Sequence, residues 1–252
     1  EMSFDLYAYK ELKKYKDTED RYVYLERLLT LPEKEAWEYQ AKVAEKQSKE
    51  YVLELNEFVL FLEDSLMNFR DFSYKKMHRT EQELRTLFYE KFPDIPLLER
   101  LKTVGEYIID EEETLSGREL DVLEREIVMD KLERMYESKD FYVLYNRFLE
   151  ESGREPIKDT AKAIPYEDVY PLLYLKHLLH GSVKRSGIKH LLVDEMQDYS
   201  YMQFLVLSKM FSCPMTILGD REQQAAPGKL DTQMLCKEIF GKEARLLTLK
   251  KS

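Results

Sequence analysis

The sequence predicts an α/β chain in two parts: a large all-α region over residues 1–165 and a partial parallel sheet over residues 166–252. Three observations carry this. Apolar residues in the first part recur at helical spacings of three, four and seven. A polar stretch from Gly153 to Pro165, containing Gly153, Pro156 and Pro165, reads as a linker. Beyond it, short apolar runs alternate with helix-length segments, the pattern of parallel strands joined by crossover helices.

The clearest helix is expected from near Pro32 towards Phe69. Trp37, Ala41, Ala44, Tyr51, Leu55, Phe58, Leu62 and Leu66 fall on one face, and Glu33, Lys34, Glu35 and the Glu45-Lys46 region largely fill the rest of the surface. About 35 residues is long against an average of about 11–12, so an arm-like helix is expected. A second helix should start at Thr80, where Thr80 and Glu83 have the spacing of a capping box, and stop at Pro93. Further helices are expected over about 97–113, 118–138 and 140–151, with Gly117 and Gly153 as punctuation. Val169–Leu179 should form another. The strands are expected at 188–193, 214–218 and 245–249, with a helix over 201–211.

Composition narrows the class. Hydrophobic residues make up 44% of the chain, enough for a core, and charged residues 35%, which suits long solvated helices. No apolar run approaches the roughly 18–20 residues of a membrane span, and Glu1–Asp5 lack the basic start and apolar stretch of a signal peptide. Cys213 and Cys236 have no metal-ligand spacing, so two reduced thiols in a cytoplasmic protein are expected. Residues 181–252 hold 11 Lys+Arg against 8 Asp+Glu; taken from totals of 39 and 49, this leaves 28 against 41 for residues 1–180. Nucleic-acid binding rests on neutralising phosphates, so that acidic region is a poor candidate for the main nucleic-acid surface.

The chemistry gathers at two strand ends. Leu191-Leu192-Val193 leads into Asp194-Glu195-Met196-Gln197-Asp198-Tyr199-Ser200, with Gln203 following. An aspartate at a strand end can hold Mg²⁺ directly or through water, and the adjacent Glu195, pointing differently, can deprotonate an attacking water. Alone, the pair reads more readily as two solvated acids at a strand end. The next run, Thr216-Ile217-Leu218, leads into Gly219-Asp220-Arg221-Glu222-Gln223.

Together these segments resemble the superfamily 1 helicases of the UvrD/Rep type, whose motif II reads DEAQD, often followed by S-x-x-Q, and whose motif III reads GDxxQ. Here motif II is DEMQD. The resemblance implies a RecA-like ATPase core using ATP and Mg²⁺ and acting on DNA. By it, Asp194 is the Mg²⁺ ligand and Glu195 the catalytic base. Gln197 and Asp198 complete motif II, Gly219 and Asp220 open motif III, and Gln223 senses the γ-phosphate.

Three departures qualify the resemblance. The phosphate-cradling loop GxxxxGK[ST] is missing: Gly228-Lys229 and Gly241-Lys242 have Gln223 and Cys236 where the first glycine should stand. The chain stops before the Tyr-Arg motif of the family, so it is expected to be a piece of a longer protein and not to hydrolyse ATP by itself. The glutamine is followed by Gln224-Ala225-Ala226 in place of a base-stacking aromatic, a contact worth about 1–3 kcal/mol per base.

By the same resemblance, residues 1–165 stand where the family carries its inserted 1B region. Their acidity, and the phrase Glu167-Asp168-Val169-Tyr170-Pro171-Leu172-Leu173-Tyr174 ahead of motif II, are most like the helicase IV group with its HelD-type factors, which bind RNA polymerase. His177 and His180, at i and i+3 without a third ligand, are not expected to bind zinc. Lys184, Arg185 and Lys189 read as a solvated basic loop.

Overall fold

Short polar caps start most of the helices. The computed structural model describes residues 3–182, 187–219, 237–241, 244, 245 and 247. The chain divides into two compact units, one of residues 1–54, 157–177 and 182–252, the other of residues 55–156 and 178–181. The expected boundary at residue 165 is therefore not where the chain divides: the first 54 residues belong with the motif-bearing segment.

The first unit begins with α1 (Phe4–Leu12), whose first turn is capped when the Leu6 N–H donates to Ser3 Oγ at 3.3 Å. The strand β1 (Asp17–Thr18) and helix α2 (Arg21–Thr30) follow, the latter capped by Asp20, which accepts from the Val23 N–H at 3.0 Å. Next come α3 (Glu33–Lys46) and the start of α4 (Lys49–Ser65). The single helix expected over Pro32–Phe69 is thus two. The break falls at Gln47, which leaves helical geometry at φ −106°, ψ 10°, while Ser48 Oγ accepts from the Tyr51 N–H at 3.1 Å and starts the new helix. The face changes with it. Tyr51, Leu55, Phe58, Leu62 and Leu66 are buried as expected, but Trp37 is 74% exposed and Lys46 is buried in its stead.

Lys46 tolerates burial because its ammonium pairs with the buried Asp168 carboxylate on α9 (Tyr166–His180). One residue earlier, Glu167 accepts from Lys42 at 3.0 Å and from the Tyr39 hydroxyl at 3.1 Å. Burial pushes the Glu167 carboxyl up, but its own backbone N–H and the Lys42 and Lys46 ammonium groups outweigh this and hold it below the ordinary range. Glu167 and Asp168 are therefore the anchor of α3 on α9.

The stretch expected as a linker also departs from expectation. Ala163–Ile164 form β4, which pairs in parallel with β1 in the register Asp17↔Ala163 and Thr18↔Ile164. A two-residue strand whose partner lies some 146 residues away has no periodicity to read. The unit ends with a second parallel pair, described below.

The second unit is mostly helical, with one antiparallel hairpin of β2 (Phe72–Tyr74) and β3 (Met77–Arg79), so the region is not all-α. Only Phe72 and Met77 point into its core, too short a pattern to separate from a helix. The Thr80–Glu83 capping box forms as expected and opens α5 (Glu81–Thr86), which continues as a π-type turn over Leu87–Lys91 and stops short of Pro93. Then come α6 (Leu97–Ser116), α7 (Val122–Glu133) and α8 (Phe141–Glu151). Gly117 ends α6 in the left-handed region at φ 65°, where a side chain would be strained. Leu101, Val104, Ile108, Leu132, Phe141 and Tyr145 are fully or almost fully buried. Among the described residues, no helix is long and apolar enough to cross a membrane.

Candidate functional site at two adjacent strand ends

The strands β5 (Leu191–Val193) and β6 (Met215–Ile217) pair in parallel, in the register Leu191↔Met215 to Val193↔Ile217. Helix α10 (Tyr201–Met210) forms the crossover between them. Its start explains the serine and glutamine after the acidic motif: the Ser200 N–H donates to Gln203 Oε1 at 2.8 Å and the Gln203 N–H to Ser200 Oγ at 3.2 Å. Parallel strands place their carboxyl ends side by side, the position where such sheets bind ligands. Asp194 follows β5 directly, and Gly219 lies two residues beyond β6.

Between the strand and α10 the chain makes a tight 3₁₀ turn over Met196–Asp198. Glu195 enters it at φ 52°, ψ 47°, in the left-handed region. For a residue with a side chain this costs about 1–2 kcal/mol, and it persists only where the surroundings fix it. The fixing contacts are present. The Glu195 N–H donates to Asp194 Oδ1 at 2.9 Å, and the buried Gln197 donates its side-chain N–H to Glu195 Oε2 at 2.5 Å. Across the sheet the Met196 N–H donates to the Leu218 carbonyl at 2.9 Å, and the Leu218 N–H to the Val193 carbonyl at 2.8 Å.

Gly219 packs against this turn. A Cβ built there would stand 2.1 Å from Met196 Cγ and 2.8 Å from Gln197 Oε1. Glycine is needed here for close approach, and the approach binds the start of the second motif to the middle of the first.

The exposed Asp194 and Glu195 carboxylates present hard oxygen donors at the strand end. This donor set fits Mg²⁺, which takes one or two carboxylates and completes its shell with water and phosphate oxygens. Among the described residues there is no group of three or more His, Cys, Asp or Glu that would make an all-protein metal cage. Of the residues singled out from the sequence, Asp194, Glu195, Gln197, Asp198 and Gly219 are brought together. Asp220 and Gln223 lie outside the described residues, as do Lys184, Arg185 and Cys236 and most of the third expected strand.

One contact at the site is not legible in the motifs. Arg21 Nη1 donates to Asp198 Oδ2 at 3.0 Å, and this bond, against the opposing cost of burial, holds the guanidinium above its usual range. A faint signal existed: Arg21 is the first residue of a helix, where the backbone dipole favours anions, so a cation there calls for a partner. No protein-family model and no curated protein matches the chain.

Proposed function

We propose that the chain carries the metal-binding and hydrolysis half of an ATP-dependent, helicase- or translocase-like motor with a RecA-like core. The observation that supports this best is the meeting of the two motif segments. Adjacent parallel strands deliver Asp194–Glu195 and Gly219 to one end of a sheet, and Gln197 touches both the glutamate and the glycine's surroundings. In this reading Asp194 holds Mg²⁺, which supplies charge neutralisation to the phosphates of ATP. Glu195, its carboxylate turned by Gln197, accepts a proton from the attacking water. The strained backbone of Glu195 suits a residue that must be aimed apart from its neighbour.

The test is nucleic-acid-stimulated ATP hydrolysis by the full-length protein, with the Glu195→Gln variant beside it. Turnover should fall by at least about 10²-fold, the low end of what general-base catalysis supplies. Wild-type turnover in Glu195→Gln would sink the reading.

A second reading is favoured by the acidity of residues 1–180 and by Gln224-Ala225-Ala226 in the place of a stacking aromatic. Here the ATPase remodels a protein complex, with RNA polymerase as the partner of the helical region, and does not unwind DNA. Capture of purified polymerase, with ATPase indifferent to DNA, separates it from the first.

A further inference from the structure

We propose that Arg21 is a positioning residue for the Asp194–Glu195 turn, acting through Asp198; this rests on the ATPase reading above. The argument begins with what the turn needs. Glu195 sits in the left-handed region, and the 3₁₀ turn after it has few bonds of its own: Asp198 N–H to the Glu195 carbonyl at 2.9 Å and Tyr199 N–H to the Met196 carbonyl at 3.2 Å. Gln197 and Gly219 fix the turn at its middle. Its far end, Asp198–Tyr199, is fixed by residues from the start of the chain.

Arg21 reaches Asp198 from a defended position. Its own N–H donates to Asp5 Oδ2 at 3.1 Å, and the other oxygen of Asp5 accepts from the hydroxyl of Tyr170, a buried residue of α9. The backbone of Arg21 is therefore tied through Asp5 to α9, the most buried helix of its unit. Beside this polar path runs an aromatic one. The Phe4 ring lies 5.1 Å from that of Tyr170 and 6.0 Å from that of Tyr199, which in turn lies 5.4 Å from Phe204. A polar contact through Asp5 and an aromatic one through Phe4 thus link adjacent residues, Asp198 and Tyr199, to the same residue of α9, Tyr170.

The ion pair is a weak candidate for a stability role. Arg21 is 45% and Asp198 36% exposed at the side chain, and pairs so exposed contribute little to folding. A cation at the start of a helix is, if anything, unfavourable there. What the contact does supply is direction: it fixes where the turn runs on towards α10, and so the path of the turn that Glu195 opens.

Arg21→Met, Arg21→Lys and Glu195→Gln in the full-length protein test this. In Arg21→Met, kcat for ATP should fall about tenfold, the scale of lost outer-shell support, with KM within about twofold. Tm should shift by no more than about 4 °C. Arg21→Lys should recover most of the loss. Amide exchange in Arg21→Met should quicken at 195–199 and not in α9. Wild-type kcat and unchanged exchange in Arg21→Met, with Glu195→Gln inactive, would overturn the positioning role and leave the ATPase reading standing. A Tm loss beyond about 10 °C without rescue by lysine would make Arg21 merely structural and also overturn it. Full turnover in Glu195→Gln would remove both.

Discussion

The two compact units are built by different means. The second, residues 55–156 and 178–181, is an apolar helical core whose elements are closed by local signals: the Thr80–Glu83 and Asp121–Glu124 capping boxes and the left-handed Gly117. The first is joined by polar contacts between distant parts of the chain: Lys46 with Asp168, Lys42 with Glu167, Tyr170 with Asp5 and Arg21 with Asp198. An apolar contact is non-directional and tolerates sliding, whereas a buried ion pair has one good geometry. The second unit has distant polar contacts too, Lys75 with Glu124 and Arg100 with Glu63, but the pair with both side chains buried, Lys46 with Asp168, belongs to the unit that carries the candidate site.

That contrast can be broken by substitution. The largest effect is expected at the Lys46–Asp168 pair. Lys46→Met leaves an uncompensated carboxylate in the interior, and the first unit should lose about 3–5 kcal/mol in urea unfolding, followed by amide exchange in α3 and α9. Adding Asp168→Leu should return most of it, because the pair itself is no better than well-packed apolar residues. If the double variant is as unstable as the single, the unit is not held in the way described.

In the second unit the counterpart is a cavity. Leu132, fully buried on α7, should cost about 2–5 kcal/mol when changed to alanine, and no second substitution at a polar partner should restore it. Exchange should quicken in α6 and α7.

A smaller change of opposite sign is expected at Glu195. Glu195→Gly removes the strain of φ 52° and should stabilise the first unit by up to about 1 kcal/mol while abolishing the proposed hydrolysis. A loss of stability would show that the side-chain bond from Gln197 outweighs the backbone strain.

A last effect is a pH dependence. Lys75, together with the Asp121 backbone N–H and Arg118, holds the Glu124 carboxyl down at about 2 against an ordinary 4.5. A depressed carboxyl stabilises the fold fully above the unfolded value, so its contribution is present above about pH 4.5 and is lost as pH falls from there towards about 2. Glu124→Gln should remove that contribution throughout the range above about pH 4.5, flatten the acid limb of the second unit's stability curve in that window, and leave stability below about pH 2 little changed.

How much was legible follows the same division. Capping boxes and apolar spacing lie within a few residues of one another, so α5 to α8 could be expected close to where they stand. The two strands before the acidic and glycine motifs were legible for the same reason, and so was the convergence of those motifs, because adjacent parallel strands end together. The break at Gln47 was not. Its one local sign is Ser48, which caps the new helix through the Tyr51 N–H; the burial of Lys46 against Asp168 beside it has no local sign, because a buried lysine looks in sequence like a solvated one.

The sequence by itself determined which residues could act at the strand ends: Asp194 and Glu195 as oxygen donors, with Gln197 just after them and Gly219 beyond the next strand. Those choices are chemical and local. Only the tertiary structure decided that the first 54 residues belong to this unit, that Glu195 is held in the left-handed region, and that Arg21 reaches Asp198 across some 177 positions of chain. The physical reason is that a charge in a sequence announces its sign and not its partner; the partner is chosen when the core closes and each buried polar group must be matched.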